Sequence, residues 1–563
     1  MPYRSPVDEI RFVLDHVVGF DAVAGTGKFA EATPDMAEAI LTEAGRFMDQ
    51  VLAPLQRIGD QQGSVLENGV VRTPDGFRDA YAEMAAGGWM GASADPEHGG
   101  MGLPLSLTNA VNEFMNGACL SFGLKPLMTQ GQIEALEAHA SDELKALYLP
   151  RLTSGEWGAT MNLTEPQAGT DLGALRTRAD PNGDGSHAIT GQKIYISWGD
   201  HDLTENISHL VLARLPDAPA GSKGISLFLV PKFLPNPDGT PGARNDLRVV
   251  SLEHKLGLHA SPTCVMDYSG ATGWMVGQPN GGLAAMFTMM NNARLGVGTQ
   301  GVGVAEAAYQ HALAHAQERR QGRSVIIDYP DVRRMLATMK AEIFAARSIC
   351  MACAAAIDMQ HATGEADWAA RAALLTPIAK AFGTDIGNEV AQTGIQVWGG
   401  MGVIEETGAA QFARDIRVST IYEGTNGIQA MDLVGRKMAD GGEAAFRLLD
   451  EVEAAAEAAR GRAPDLAEPL WQAAETLREA TEWLLGQPAE DRDAGAVPYL
   501  RAFARVLGAH YHLAAAQAAP GSGRARLARF YIGRMLPEHQ GLLAQLRDGA
   551  APVMAVTAND LEA

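Results

Sequence analysis

The spacing of hydrophobic positions changes character along the chain. Through residue 155, apolar side chains recur at a near-3.6 period in runs rich in Ala, Glu, Leu and Met, for example over 81–84 and 134–138. That period predicts a mostly helical region, punctuated at Gly87-Gly88 and across 95–100. From about 156 to 277 the texture turns to Thr, Ile, Val, Gly, Asp and Pro. Short apolar runs at 189–196, 210–212 and 225–230, bounded by turn residues, predict several antiparallel strands. Asn182-Gly183-Asp184-Gly185 and Pro237-Asp238-Gly239 read as the turns between them. Long Ala-rich helical periodicity returns from about 278 to 438, strongest over 302–318 and 335–361. After Ala439-Asp440-Gly441-Gly442, a last helical tract broken at Gly486-Gln487-Pro488 and 519–523 predicts three or four helices. The pattern thus gives an N-terminal extension (1–36), a helical domain (37–155), a central antiparallel β domain (156–277), a helical bundle (278–438) and an added helical domain (439–563). The fold class is α+β, mostly α.

Composition narrows the function classes. At 563 residues, 46% hydrophobic and 20% charged, the chain reads as a folded globular protein of several domains. No apolar run reaches the roughly 18 residues of a membrane span, so no membrane partner is expected. A net charge of −22 disfavours nucleic acid as a ligand. Four cysteines exclude a disulfide scaffold and, with an N-terminus unlike a signal peptide, suit a cytoplasmic location. Cys350-Met351-Ala352-Cys353 lies in an Ala-rich helix and reads as a buried face, and the scattered histidines indicate no metal site. The tail contains Arg but no Lys, and Arg524, Arg526, Arg529 and Arg534 read as a solvated helix face.

Three segments carry candidate chemistry. Met161-Asn162-Leu163-Thr164-Glu165-Pro166-Gln167-Ala168-Gly169-Thr170 is a bent loop that can turn hydroxyls and backbone N–H groups towards an uncharged polar ring edge. Gly191-Gln192-Lys193-Ile194-Tyr195-Ile196-Ser197 sets an aromatic ring and a hydroxyl on alternate strand residues, which suits a planar cofactor. Ile421-Tyr422-Glu423-Gly424-Thr425 places a carboxylate in an apolar turn, where its pKa would rise and it could accept a proton. Taken singly, each also reads as an ordinary turn, edge strand or helix cap.

Taken together, in this order and within this texture, they resemble the acyl-CoA dehydrogenase family over roughly residues 40–437. Further elements carry the likeness: Pro96-Glu97-His98-Gly99-Gly100-Met101-Gly102, the approach at 148–156, Glu318-Arg319-Arg320-Gln321, and Gln396-Val397-Trp398-Gly399-Gly400-Met401-Gly402. The resemblance implies FAD, removal of two hydrogens from an acyl-CoA, and Glu423 as the residue that takes the α proton while the β hydrogen goes to the flavin. It implies that the thioester carbonyl accepts a hydrogen bond from the Glu423 backbone N–H, beside Gly424. It assigns Met161, Leu163, Thr164, Gly169, Thr170, Tyr195 and Ser197 to the cofactor, with Thr170 also at the substrate. Arg319, Gln321, Gln396, Gly399 and Gly400 correspond to contacts with a neighbouring subunit's flavin, which implies at least a homodimer, and Thr425 to a contact with the adenosine diphosphate part. Arg294 matches an arginine at the substrate side, with an internal salt bridge as the equal alternative. Position 293, where a smaller branch carries the base, is Ala, so Glu423 has no rival. Gly427 and Gly322 depart from the family pattern.

The extra length narrows the branch. With 11–18 and Lys255-Leu256-Gly257-Leu258-His259-Ala260-Ser261-Pro262-Thr263, the long form resembles the branch acting on 3-methylmercaptopropionyl-CoA in dimethylsulfoniopropionate breakdown. Medium- or long-chain fatty acyl-CoA dehydrogenases and acyl-CoA oxidases are the alternatives. Electron-transfer flavoprotein is the acceptor the resemblance implies. Residues 122–130 are expected to wall the acyl chain, and Met286, Met289 and Met290 read as core rather than a thioether pocket. A DNA-binding branch of the same fold needs a basic C-terminal part, which the acidic tail does not offer.

Overall fold

A computed structural model describes residues 3–562. The principal helices are α1 (Val7–His16), α2 (Leu105–His139), α3 (Gly282–Glu318), α4 (Pro330–Thr363), α5 (Ala366–Trp398), α6 (Asn426–Val434), α7 (Glu443–Ala459), α8 (Pro464–Leu485), α9 (Ala496–Ala518), α10 (Gly523–Arg534) and α11 (Glu538–Asp548). The chain divides into two compact units, each assembled from separate stretches. One holds the residues up to Arg46, Pro104–Gly117 and everything from Arg294 onward; the other holds Phe47–Leu103 and Ala118–Ala293. α2 passes from one to the other where its backbone leaves helical geometry, at Cys119 (φ −158°, ψ 94°).

In the first unit, glycines let helices meet backbone to backbone. A Cβ at Gly298 of α3 would lie 2.5 Å from the Ala379 carbonyl oxygen of α5, and one at Gly301 would lie 2.1 Å from that of Gly383. The free N–H groups opening α2 find a carboxylate on α4: Asp358 accepts from Leu105 and Ser106 at 2.6 and 2.8 Å. Arg347 of α4, fully buried, bonds Glu113 of α2 at 2.6 Å and Glu306 of α3 at 2.8 Å. Cys350 and Cys353 lie buried in α4.

The tail belongs to this unit and contains more helices than the three or four expected: besides α7 to α11, a six-residue helix, Ala489–Ala494, precedes α9, and two short ones, Ala551–Ala555 and Ala558–Glu562, follow α11. Arg505 of α9 reaches Glu342 of α4 and Glu538 of α11, both at 2.5 Å. The arginine-rich face of α10 is only partly solvated. Arg524 bonds Glu9 of α1 at 2.9 Å and lies 3.6 Å over the Phe12 ring, and Arg529 bonds Asp465 at 2.6 Å.

The second unit is built on a seven-stranded sheet: β1 (Trp157–Asn162), β2 (Arg178–Pro181), β3 (His187–Ser197), β4 (Asn206–Ala213), β5 (Ser226–Pro231), β6 (Leu247–Leu252) and β7 (Thr263–Val276). The order is β1-β4-β5-β7-β3-β2, with β6 also paired to β7. Pairing is antiparallel as expected, except that β1 and β4 run parallel. Its core includes Ile189, Ile196, Val211, Phe228, Val230, Met266 and Tyr268. A small hairpin, Val65–Glu67 with Val70–Arg72, interrupts the stretch read as helical. Met286, Met289 and Met290 are buried, as the packing reading expects. Among the described residues, no helix is long and apolar enough to cross a membrane, and no group of His, Cys, Asp or Glu could hold a metal ion.

Candidate active site

β1 ends at Asn162 and the chain enters the bent loop with Leu163 buried and Thr164 half-buried. One carboxylate fixes this loop. Glu165 accepts hydrogen bonds from the Arg176 and Thr177 backbone N–H groups, the Thr177 hydroxyl and the Gln167 amide at 2.6–3.0 Å. Lys193 of β3, wholly buried, donates to the Glu165 carboxylate at 2.8 Å and to the Leu163 carbonyl at 2.9 Å. Burial alone would raise the Glu165 pKa, but Lys193 and the surrounding donors hold it at about 2. The loop is thereby pinned to β3, and Ile194 N–H closes it further by donating to the Thr164 carbonyl. Gly169 and Thr170 follow on the exposed rim.

β3 does not keep strict alternation. Its register with β7 slips between Cys264 and Met266, which leaves an extra residue on β3 between Lys193 and Ile196. Tyr195 occupies this bulge in the left-handed region, at φ +59°. Tyr195 and Ser197 flank the buried Ile196; the tyrosine is 62% exposed and the serine half-buried. Among the described residues, no side chain or backbone group bonds the hydroxyls of Thr164, Thr170 or Ser197. An open aromatic ring beside unpaired hydroxyls is a donor set that fits a planar cofactor with a polar edge, as FAD has.

The first unit holds the third segment. Glu423 sits in the turn before α6, at φ +56°, followed by Gly424 at φ +86°. β-Carbon space is short there, since a Cβ on Gly424 would meet the Gln429 amide at 2.8 Å. The turn is held from several sides. Gln429 donates to the Glu423 carbonyl at 3.1 Å, Thr425 caps α6 by accepting from Ile428 N–H at 3.2 Å, and the Tyr422 hydroxyl donates to Gln300. Lys380 of α5 donates to the Gly424 carbonyl and to the Asn426 side chain, each at 2.9 Å. The Glu423 side chain and backbone N–H, in contrast, bond to no described residue. Half-buried, its carboxyl is pushed up to about 7 by lost hydration, against the pull of Arg294 and Lys380. Arg294 is itself buried on α3 and feels the charges of both Asp432 and Glu423.

The remaining sites expected from sequence lie on the surface of the same unit: Arg319, Gln321, Gln396, Gly399, Gly400 and Thr425 are all exposed. Next to them Trp398 is stacked by His311 and His315 of α3, with centroids 4.6 and 3.9 Å away. Met161 lies half-buried at the end of β1. Sequence reasoning missed Lys193, Glu165 as its partner, and Lys380. A lone lysine in the apolar run Pro377-Ile378-Ala379-Lys380-Ala381-Phe382 was the signal available for the last.

Comparison with known proteins gives the class. Models of the acyl-CoA dehydrogenase N-terminal, middle and C-terminal domains match residues 34–156, 160–270 and 280–438, and a model described as acetyl-CoA dehydrogenase C-terminal like matches 448–557. The chain belongs to the acyl-CoA dehydrogenase family, flavoprotein oxidoreductases acting on acyl-CoA thioesters. It is 47% identical over 519 residues to 3-methylmercaptopropionyl-CoA dehydrogenase of Ruegeria pomeroyi, covering 89% of this chain and 88% of that protein. It is 37% identical over 430 residues to a butyryl-CoA dehydrogenase of Syntrophomonas wolfei, covering 72% and 70%. Among solved structures, butyryl-CoA dehydrogenase of Megasphaera elsdenii superposes with a TM-score of 0.61 at 26% identity, over 71% of this chain and 98% of that one. ACDH-11 of Caenorhabditis elegans, solved with C11-CoA, reaches 0.81 at 19% identity over 94% and 91%, a likeness of fold alone.

Proposed function

We propose that this chain converts an acyl-CoA to the trans-2-enoyl-CoA, with Glu423 taking the α proton and 3-methylmercaptopropionyl-CoA as the substrate. The observation that carries the reaction is the Glu423 carboxyl, raised to about 7 and hydrogen-bonded to no described residue. A base poised near neutrality is ionised often enough to work at neutral pH and still basic enough to take a weakly acidic proton. Its unpaired backbone N–H is a donor for the thioester carbonyl, whose oxygen gains charge as the α proton leaves. Arg294 and Lys380 favour the carboxylate and keep its pKa from climbing further.

Leu163, Thr164, Thr170, Tyr195 and Ser197 would hold FAD, which would supply the acceptor for the β hydride. The Lys193–Glu165 pair holds that loop rigid, which keeps the hydroxyls aimed. The exposed Arg319, Gln321, Gln396, Gly399 and Gly400 suit contacts to the cofactor of a second copy in a homodimer. Support for the acyl group comes from the 47% identity to the Ruegeria pomeroyi enzyme over nearly the whole chain. Initial rates over a panel of acyl-CoAs, with electron-transfer flavoprotein as acceptor, test the reading. The highest kcat/KM is expected for 3-methylmercaptopropionyl-CoA. A clear preference for octanoyl-CoA would overturn the substrate, and hydrogen peroxide in place of flavoprotein reduction would overturn the acceptor.

A further inference from the structure

We propose that Lys380 is a positioning residue for the base: it grips the Gly424 carbonyl, holds Glu423 in its left-handed turn and sets a positive charge beside the carboxylate. The inference rests on the reading of Glu423 as the base. Lys380 is wholly buried in α5, in a run otherwise apolar. Burying an ammonium is unfavourable, and a methionine would fill the same space without that penalty. The ammonium also lacks the usual compensation, a carboxylate in direct contact. Its two bonds, both 2.9 Å, go to the Gly424 carbonyl and the Asn426 side-chain oxygen.

Those two acceptors lie on either side of Thr425, so one side chain spans the turn. The Asn426 amide is anchored in its own right, donating to Asp385 at 2.7 Å and to Thr384 at 3.0 Å. Aspartate, asparagine and lysine therefore form one chain from α5 to the peptide that follows Glu423. The turn needs such a clamp, because Glu423 lacks the conformational freedom of glycine and yet sits at φ +56°.

The charges felt at the carboxylate are Arg294 from α3 and Lys380 from α5, and the Tyr422 hydroxyl in the turn feels the carboxylate in return. Around them, Asp385 acts on Lys380, Asp432 and Arg436 act on Arg294, and Lys437 feels Asp432, Arg436 and Arg294. Glu389 and Arg501 act in turn on Asp385. Lys380 combines a charge felt at Glu423 with hydrogen bonds to the turn, so the two contributions can be separated by substitution. Burial lowers the lysine to about 8, with Glu423 pulling it back up, so it remains mostly charged at neutral pH.

The test uses flavin-loaded full-length enzyme, with flavin content and melting temperature measured for each variant. Lys380→Gln keeps a donor for Gly424 and removes the charge. Its acid limb in the pH profile of kcat/KM should move up by about half a unit to one unit. Lys380→Met removes both, and should show the same shift with a kcat about tenfold lower than that of Lys380→Gln. A flavin-loaded Lys380→Gln with the wild-type limb overturns the electrostatic part, and a Lys380→Met as fast as Lys380→Gln overturns the clamp. Substantial turnover by Glu423→Gln would instead overturn the base itself, whatever the lysine variants do.

Discussion

Each of the two units contains a glutamate beside a buried lysine, and the outcomes are opposite. At Glu165 the lysine donates straight into the carboxylate, four further donors join it, and the pKa falls to about 2. At Glu423 the lysine is spent on the backbone next door, the carboxylate is bonded by no described residue, and the pKa rises to about 7. The residue types are the same. The difference is whether the cation makes contact or acts only at a distance. Contact turns a glutamate into a structural pin, while a nearby but unshared charge leaves a base available for a substrate proton.

The sharpest way to break the contrast is to remove the base. Glu423→Gln should lower kcat by about 10³-fold or more while flavin absorbance is retained, measured by anaerobic reduction with acyl-CoA. The pin should respond in stability rather than chemistry. Lys193→Met leaves Glu165 buried without its cation and should cost about 3–5 kcal/mol in unfolding. Removing both charges with Lys193→Met and Glu165→Gln together should recover most of that loss.

The two carboxylates also predict opposite pH behaviour. Glu165 binds its proton less readily folded than unfolded, so its contribution is present above about 4.5 and fades as pH falls towards about 2. Glu423 binds its proton more readily folded, so native stability declines as pH rises from about 4.5 through about 7. Glu423→Gln should accordingly melt about 1–3 °C above wild type at pH 8, and at the same temperature as wild type at pH 4, below both titrations. The smallest effect is expected at Tyr195. Tyr195→Gly relieves the left-handed backbone and removes an exposed ring, so melting should change by less than about 2 °C while flavin affinity drops.

The helical, β and helical order was legible because hydrophobic period changes where secondary structure changes: the strand run at 189–196 falls inside β3, and that at 225–230 falls inside β5 except for its first residue. The direction of the β1–β4 pair was not, because period two records which face a residue takes and says nothing about which way a neighbour runs. The hairpin at Val65–Arg72 was hidden for want of length, at three residues per strand. Glu423 stood out through its neighbours in sequence. Lys380 is 43 positions earlier and Lys193 is separated from Glu165 by a whole strand, so neither pairing could be read without the fold. The slip that lifts Tyr195 out of alternation depends on β7, far along the chain.

The bond from Arg524 to Glu9 joins residues 515 positions apart. During synthesis the guanidinium that covers Phe12 and bonds Glu9 is made long after α1. At about 5–20 residues per second, this gap corresponds to roughly 25–100 s in which the first helix waits with an unsatisfied face. α1 thus leaves the ribosome well before the residue that completes its packing, and the interval is a window for a chaperone to act.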